Sequence, residues 1–214
     1  LFPHCYIDAP HRYRSILFND FYNQIKFFLD ISKKLKKFQW YYKPHPNELK
    51  WGRNIHSSIL KDYPNVTRLN KDFSHRSVIS SKPELIITNH GTIAHEYAAF
   101  KVPVLCTGDN PHINYSFCIH GKSLKNLKDI LFNLKREKSK INFDKKGIYE
   151  YLFMRYEYFI NLYEKDKFIN DKYFALKNIK KNETSDVFLN FIKYSKLKEN
   201  SINSYLNNFY KENF

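Results

Sequence analysis

The chain has 214 residues and a mass of 25.9 kDa, enough for one sizeable core or slightly more. Its 43% hydrophobic and 18% aromatic content excludes a disordered chain, and no apolar run approaches the roughly 20 residues of a membrane-spanning helix. The formal net charge of +15 leaves nucleic acid, an anionic membrane surface and phosphate-bearing ligands as the partner classes to weigh.

Leu1 to Ile7 reads as a strand, and the chain opens on it without Met or a signal-peptide pattern, so it reads as a piece of a longer protein. From Asn19, a plausible N-cap, to Lys37, apolar residues Phe21, Ile25, Phe28, Leu29 and Ile31/Leu35 recur at helical spacing. The aromatic run Phe38 to Lys43 predicts a strand, stopped by Lys43-Pro44-His45-Pro46, where a helix neither starts nor continues. Helical signal resumes over His56 to Asp62, followed by a strand at Asn65 to Leu69 and a short helix at Ser74 to Ser81. Glu84 to Thr88 is the next strand, Thr92 to Phe100 a helix, and Val102 to Cys106 an apolar strand of the kind found in parallel sheets. Ser123 to Lys138 and Lys146 to Lys165 are helical, and the Asn- and Lys-rich remainder predicts a peripheral helix and a tail.

Strands alternating with helices at this rhythm predict an α/β protein with a doubly wound, mostly parallel sheet, followed by C-terminal helices. The expected division is 1–166 as the sheet domain and 167–214 as a helical extension. Ligands of such sheets sit beyond the carboxyl ends of the strands. The polar segments Asp8-Ala9-Pro10-His11, Lys43-Pro44-His45-Pro46 and Asn89-His90-Gly91-Thr92 each follow a predicted strand, so all three are expected on one rim. Most of the basic excess accompanies them, since residues 1 to 140 hold 23 Lys and Arg against 11 Asp and Glu.

In Thr88-Asn89-His90-Gly91-Thr92-Ile93-Ala94-His95-Glu96-Tyr97, glycine after a strand allows a tight turn into a helix whose N-terminus suits phosphate. Thr92 suits the cap of that helix or a phosphoryl oxygen, His90 can hydrogen-bond an anion, and Glu96 lies one turn on, where its carboxylate can accept from ribose hydroxyls. Two prolines stiffen the backbone around His45, and Lys43 beside it is a phosphate partner or a solvated strand end. Thr107-Gly108-Asp109-Asn110-Pro111-His112, with Tyr115 after it, is either a loop closing over a base or sugar or a plain Gly-Asp-Asn-Pro turn.

Other chemistries lack their patterns. His90 and His95 are five apart with no HExxH pattern or acidic cluster, so no metal is expected, and no nucleophile elbow, P-loop or dinucleotide fingerprint occurs. Cys5, Cys106 and Cys118 form no disulfide framework, which suits a reducing, cytoplasmic compartment, and Cys106 inside an apolar strand reads as an inert thiol.

Taken together, KPHP after a strand, then NHGTIAHEYAAFKVPVL, then GDNPHINYSF, resembles the nucleotide-sugar-binding, Rossmann-like half of GT-B glycosyltransferases, in particular bacterial capsule and surface polysaccharide biosynthesis proteins similar to β-Kdo transferases. The resemblance covers residues 1 to 165. It implies that His45 contacts the donor's phosphate or nucleotide, that His90, Gly91 and Thr92 bind phosphate, and that Glu96 holds the ribose. It implies a nucleotide-sugar donor, CMP-linked by preference, a glycan acceptor, no separate cofactor and peripheral attachment to the inner membrane. The acceptor-side domain that usually carries the base is missing from the pattern, which leaves Asp8 and His11 as local candidates for a base and Arg12 and Arg14 as donor contacts. Alternatives with a similar fold are a CDP-alcohol phosphotransferase and a nucleotide-sugar epimerase. A nucleic-acid-binding module would use the charge and aromatics, but no specific nucleic-acid motif occurs.

Overall fold

A computed structural model describes residues 1–8, 17–143 and 145–158. The chain divides into two compact units, Leu1–Leu152 and Phe153–Phe214. Of the second, only one π-helical stretch, Phe153–Tyr158, is described. The expected boundary at 166/167 and the expected helical extension lie outside the described residues, as do His11, Arg12 and Arg14.

The first unit is mixed α/β. Helix α1 (Phe21–Lys34) starts one residue later than the sequence suggests, because Asp20 is its cap: Oδ1 accepts from Asn23 N at 2.7 Å. Its apolar stripe of Ile25, Phe28 and Leu29 is buried, and Lys33 and Lys34 oppose the negative end of its dipole. Strand β1 (Trp40–Tyr42) leads through the Pro-His-Pro loop to α2 (Lys50–Leu60), which begins six residues before the predicted helical signal. Strand β2 (Val66–Arg68), α3 (His75–Ser80), β3 (Ile86–Thr88), α4 (Ile93–Ala99) and β4 (Val104–Cys106) follow. A two-residue strand β5 (Ile119–His120), absent from the sequence reading, precedes α5 (Leu124–Phe132). The predicted helix 123–138 is interrupted at Asn133, and α6 (Leu134–Lys138) completes it. Helix α7 (Lys145–Leu152) ends the unit.

All strand pairing is parallel, in two small sheets: β1 beside β2, and β3-β4-β5. The Leu1–Phe2 segment, expected as a strand, is extended rather than a regular strand, yet its backbone bonds to both sheets. Leu1 N donates to Tyr41 O (2.7 Å) and Leu1 O accepts from Lys43 N (3.0 Å), flanking Tyr42 as parallel pairing requires. Phe2 N donates to Ile87 O at 2.8 Å.

Side chains of β3 and β4 alternate between two hydrophobic cores, as a pleated strand covered on both faces must. Ile87 and Leu105 join Phe28 and Leu29 of α1 and Leu127 and Leu131 of α5. Ile86, Val104 and Cys106 join Ala94, Tyr97 and Ala98 of α4 and Ile148 and Tyr151 of α7. Each fully buried Leu, Ile or Phe contributes about 1.5–3 kcal/mol, so these two cores hold the strand ends in register and present their loops on one side.

Candidate functional site

Loops after the first segment, β1 and β3 meet through histidines. The His4 ring lies 4.2 Å from the His90 ring, centroid to centroid, and His90 N donates to His4 Nε2 at 3.3 Å. With Nε2 accepting, the His4 proton sits on Nδ1, which donates to Asp8 Oδ2 at 3.3 Å. Burial lowers the His4 pKa below the usual histidine value, Asp8 opposes that shift, and the nearby His45 adds to it. Asp8 therefore orients His4.

His45 is seated beside the same segment. Cys5 Sγ lies 2.9 Å from His45 Nδ1, and Asn47 N donates to that nitrogen at 3.2 Å. Burial pushes the Cys5 thiol up to about 11, so it stays protonated and acts as donor. Nδ1 thus accepts, and the proton of His45 sits on Nε2, a donor suited to an anionic oxygen.

Behind His45 a buried network pins the loop. Glu48 is 1% exposed, and its Oε2 accepts from Tyr6 N (3.1 Å) and from His56 Nε2 (3.3 Å). The other ring nitrogen of His56 accepts from Tyr42 O–H at 2.5 Å. Burial holds the His56 pKa down and Glu48 partly counters it, while burial also raises Tyr42 well above its normal value. Gly52 packs directly on the Glu48 carboxylate, where a Cβ would collide with Oε1. Sequence reasoning missed His4, Cys5 and Glu48, since each sits in an apolar or Pro-rich stretch without chemical spacing.

His90 is fixed by a second chain. Gln24 donates to Thr107 Oγ1, Thr107 donates to Asn89 Oδ1 (3.2 Å), and Asn89 Nδ2 donates to His90 Nδ1 (2.7 Å). This again leaves the imidazole proton on Nε2. Gly91 lies in the turn between β3 and α4 without a positive φ. Its lack of a side chain matters for space: a Cβ there would lie 2.9 Å from Thr88 Oγ1 and 3.7 Å from His4 Nε2. Thr92 precedes α4, but its side chain makes no capping bond. With seven residues, α4 has only a modest dipole, so histidine donors rather than the helix end dominate the local electrostatics.

Lys43 and Glu96 share a neighbour rather than a contact. Lys43 is buried and donates from Nζ to Lys71 O at 2.7 Å; burial lowers its pKa. His75, whose Nδ1 lies 2.9 Å from Tyr97 Oη, feels both Lys43, which lowers its pKa, and Glu96, which raises it. Glu96 itself is exposed on the outer face of α4.

Asn110, His112 and Tyr115 are engaged within their own loop. Asn110 Oδ1 accepts from His112 N (3.1 Å), and Asn110 Nδ2 donates to Gly108 O (3.2 Å). The His112 ring is 2% exposed and packs against Phe117 and Tyr151, and Tyr115 stacks on Phe117 while donating to Glu150 Oε1. A mostly apolar cavity of about 670 Å³, bounded by Phe2, Leu35, Trp40, Val78 and Leu134, is lined by Lys43 but by none of His45, His90, Gly91 and Glu96.

A further donor set lies at the ends of β4 and β5. Cys106, His112 and His120 bring ligand-type atoms within 4.8 Å of one another, a grouping their spacing in the chain conceals because β4–β5 pairing creates it. Among the described residues no helix is long and apolar enough to cross a membrane. No protein-family model, curated protein or solved structure matches this chain.

Proposed function

We propose that this chain is the nucleotide-sugar-binding domain of a glycosyltransferase, with a CMP-activated sugar as preferred donor and a surface or capsular glycan as product. The observation that carries the proposal is the seating of His45 and His90, from the loops after β1 and β3, on one histidine-bearing segment, Cys5 against His45 Nδ1 at 2.9 Å and His4 against His90 N at 3.3 Å. The resemblance of the KPHP, NHGTIAHEY and GDNPHINYSF stretches to GT-B enzymes supplies the donor class.

The doubly wound reading is part of the proposal. If the first segment counts as a strand, its bonds to β1 and β3 give the order β2, β1, first segment, β3, β4, β5, which in chain order is 3-2-1-4-5-6. The order reverses between the first segment and β3. His4 and His90 belong to the loops at that switch point, where open α/β sheets bind their ligands, and His45 comes from the neighbouring loop after β1.

In this scheme the reaction is a transfer of the sugar from its nucleoside phosphate to an acceptor hydroxyl. As the glycosidic bond breaks, negative charge grows on the phosphate oxygens. The Nε2 protons of His45 and His90 meet that charge, and their orientation is set in advance by Cys5, Asn47 and Asn89, so little reorganisation accompanies the step. Asp8 holds His4 beneath them. Lys43 and Glu96 share His75 as an electrostatic neighbour, and in this scheme Glu96 accepts from the ribose hydroxyls.

The test is calorimetric titration of the chain with CMP, UDP, GDP and CDP, repeated for His45→Ala and Glu96→Ala. The proposal expects selective binding of a cytidine nucleotide, weakened about tenfold by loss of His45, as for one charge-assisted hydrogen bond. Equal affinity in both variants and the parent chain removes the site, and steeply salt-dependent binding of generic DNA or RNA without nucleotide selectivity favours a nucleic-acid module instead.

A further inference from the structure

Strand pairing sets Cys106, the last residue of β4, directly beside His120, the last residue of β5, with Gly121 N bonded to Cys106 O at 2.9 Å. The intervening loop folds back so that His112 joins them, its ring 5.5 Å from that of His120. One donor atom from each residue lies within 4.8 Å of the other two. Cys106 and His112 are buried, and the Nε2 of half-buried His120 is itself sealed from solvent without a hydrogen bond of good geometry, although the Tyr115 backbone acts on the ring. A buried ring nitrogen without a good hydrogen bond is destabilising, which a ligand bond would relieve. The other ring nitrogen of His120 lies 3.5 Å from Asn110 Nδ2, too long to fix the tautomer.

We propose that Cys106, His112 and His120 form a zinc site, with the fourth coordination position left to water. One thiolate and two imidazoles are a borderline-soft donor set that selects Zn²⁺ over Mg²⁺ or Ca²⁺, whose sites are built from oxygen. Tetrahedral bonds of about 2.0–2.3 Å place donors roughly 3.3–3.8 Å apart, so side-chain rotation alone closes the present cluster onto an ion. Two ligands are fixed by adjacent parallel strands, and the third is wedged between Phe117 and Tyr151, 5.3 and 5.4 Å from its ring. Binding exchanges the Cys106 S–H bond for an S–Zn bond and releases one proton to solvent. The ion ties the 107–120 loop to the ends of β4 and β5. The Cys118 thiol reaches Ala94 O at 3.5 Å and also meets the Cys106 thiol, so it borders the set without belonging to it.

The experiment uses the full chain, stripped with chelator and titrated with Co²⁺ and then Zn²⁺. Expected are about one equivalent of tetrahedral cobalt with a thiolate charge-transfer band, displacement of cobalt by zinc, and proton uptake by the buffer. Cys106→Ser abolishes the charge-transfer band, His120→Gln weakens zinc binding about tenfold or more, and Cys5→Ser leaves both unchanged. Circular dichroism establishes that each variant is folded, and His120→Gln, at a half-buried position, provides the reading if Cys106→Ser does not fold. Absence of cobalt binding by the folded parent chain, or an unaltered band in folded Cys106→Ser, overturns the proposal.

Discussion

Two clusters of histidines follow strands in this molecule, and they are built differently. At the ends of the first segment and β3, and in the loop after β1, His4, His90 and His45 are half-buried, and each has Nδ1 or Nε2 committed to a nearby partner that fixes its tautomer. At the ends of β4 and β5, His112 is wrapped by Phe117 and Tyr151, and His120 lies against it. The difference comes from neighbours: Pro44 and Pro46 keep the first loop stiff and shallow, whereas Tyr115, Phe117 and Tyr151 draw the second inward. The same residue type is thereby held half-exposed with a fixed tautomer in one place and packed among aromatic rings in the other.

The largest effect is expected where the second cluster depends on aromatic packing. Phe117→Ala removes a ring that is 1% exposed and costs about 4 kcal/mol of stability, read as a fall in urea midpoint with an unchanged slope. A loss below 1 kcal/mol would mean that the loop is not held by this core. Next comes the anchor of the first cluster. Glu48→Ala strips the partners of His56 and Tyr6 N and costs about 3 kcal/mol, while Glu48→Gln, which can still accept from both, costs about 1 kcal/mol.

Smaller effects separate binding from folding. His90→Ala and His45→Ala each weaken nucleotide binding about tenfold while shifting stability by about 1 kcal/mol or less. Gly91→Ala has a similar direction, because its Cβ would press on Thr88 Oγ1 and narrow the approach to His4. The smallest effect is pH dependence. His4, His56 and His75 all have folded-state pKa values lowered chiefly by burial, with Asp8, Glu48 and Glu96 respectively opposing the shift and His45, Arg68 and Lys43 adding to it. Below the unfolded value of about 6.5 the unfolded chain takes up protons that the native state resists. Stability is therefore full above that value and declines as pH falls towards 5; a urea midpoint independent of pH across this window would contradict the burial of these rings.

Much of this architecture was legible in the sequence. The i, i+3, i+4 stripe of Ile25, Phe28 and Leu29 marked α1, and the apolar run Val102 to Cys106 marked β4, since both signals arise from local burial. Boundaries were less legible, because caps are decided by side-chain geometry: Asp20 rather than Asn19 starts α1, and Thr92 caps nothing. β5 was invisible, being two residues that exist as a strand only by pairing with β4. For the site, the KPHP and NHG stretches announced themselves through Pro and Gly. Glu48 and His4 did not, because their roles depend on partners 42 and 86 residues away in the chain. Nor did the Cys106, His112 and His120 grouping, for the same reason.

The most direct measurement is a nitrogen-15 NMR titration of the histidine rings with CMP. The account predicts that His45 and His90 carry their protons on Nε2 and His4 on Nδ1, and that CMP shifts the Nε2 signals of His45 and His90 while those of His95 and His112 stay in place. Unmoved His45 and His90 signals at saturating nucleotide, or shifts confined to the β4–β5 cluster, would contradict it.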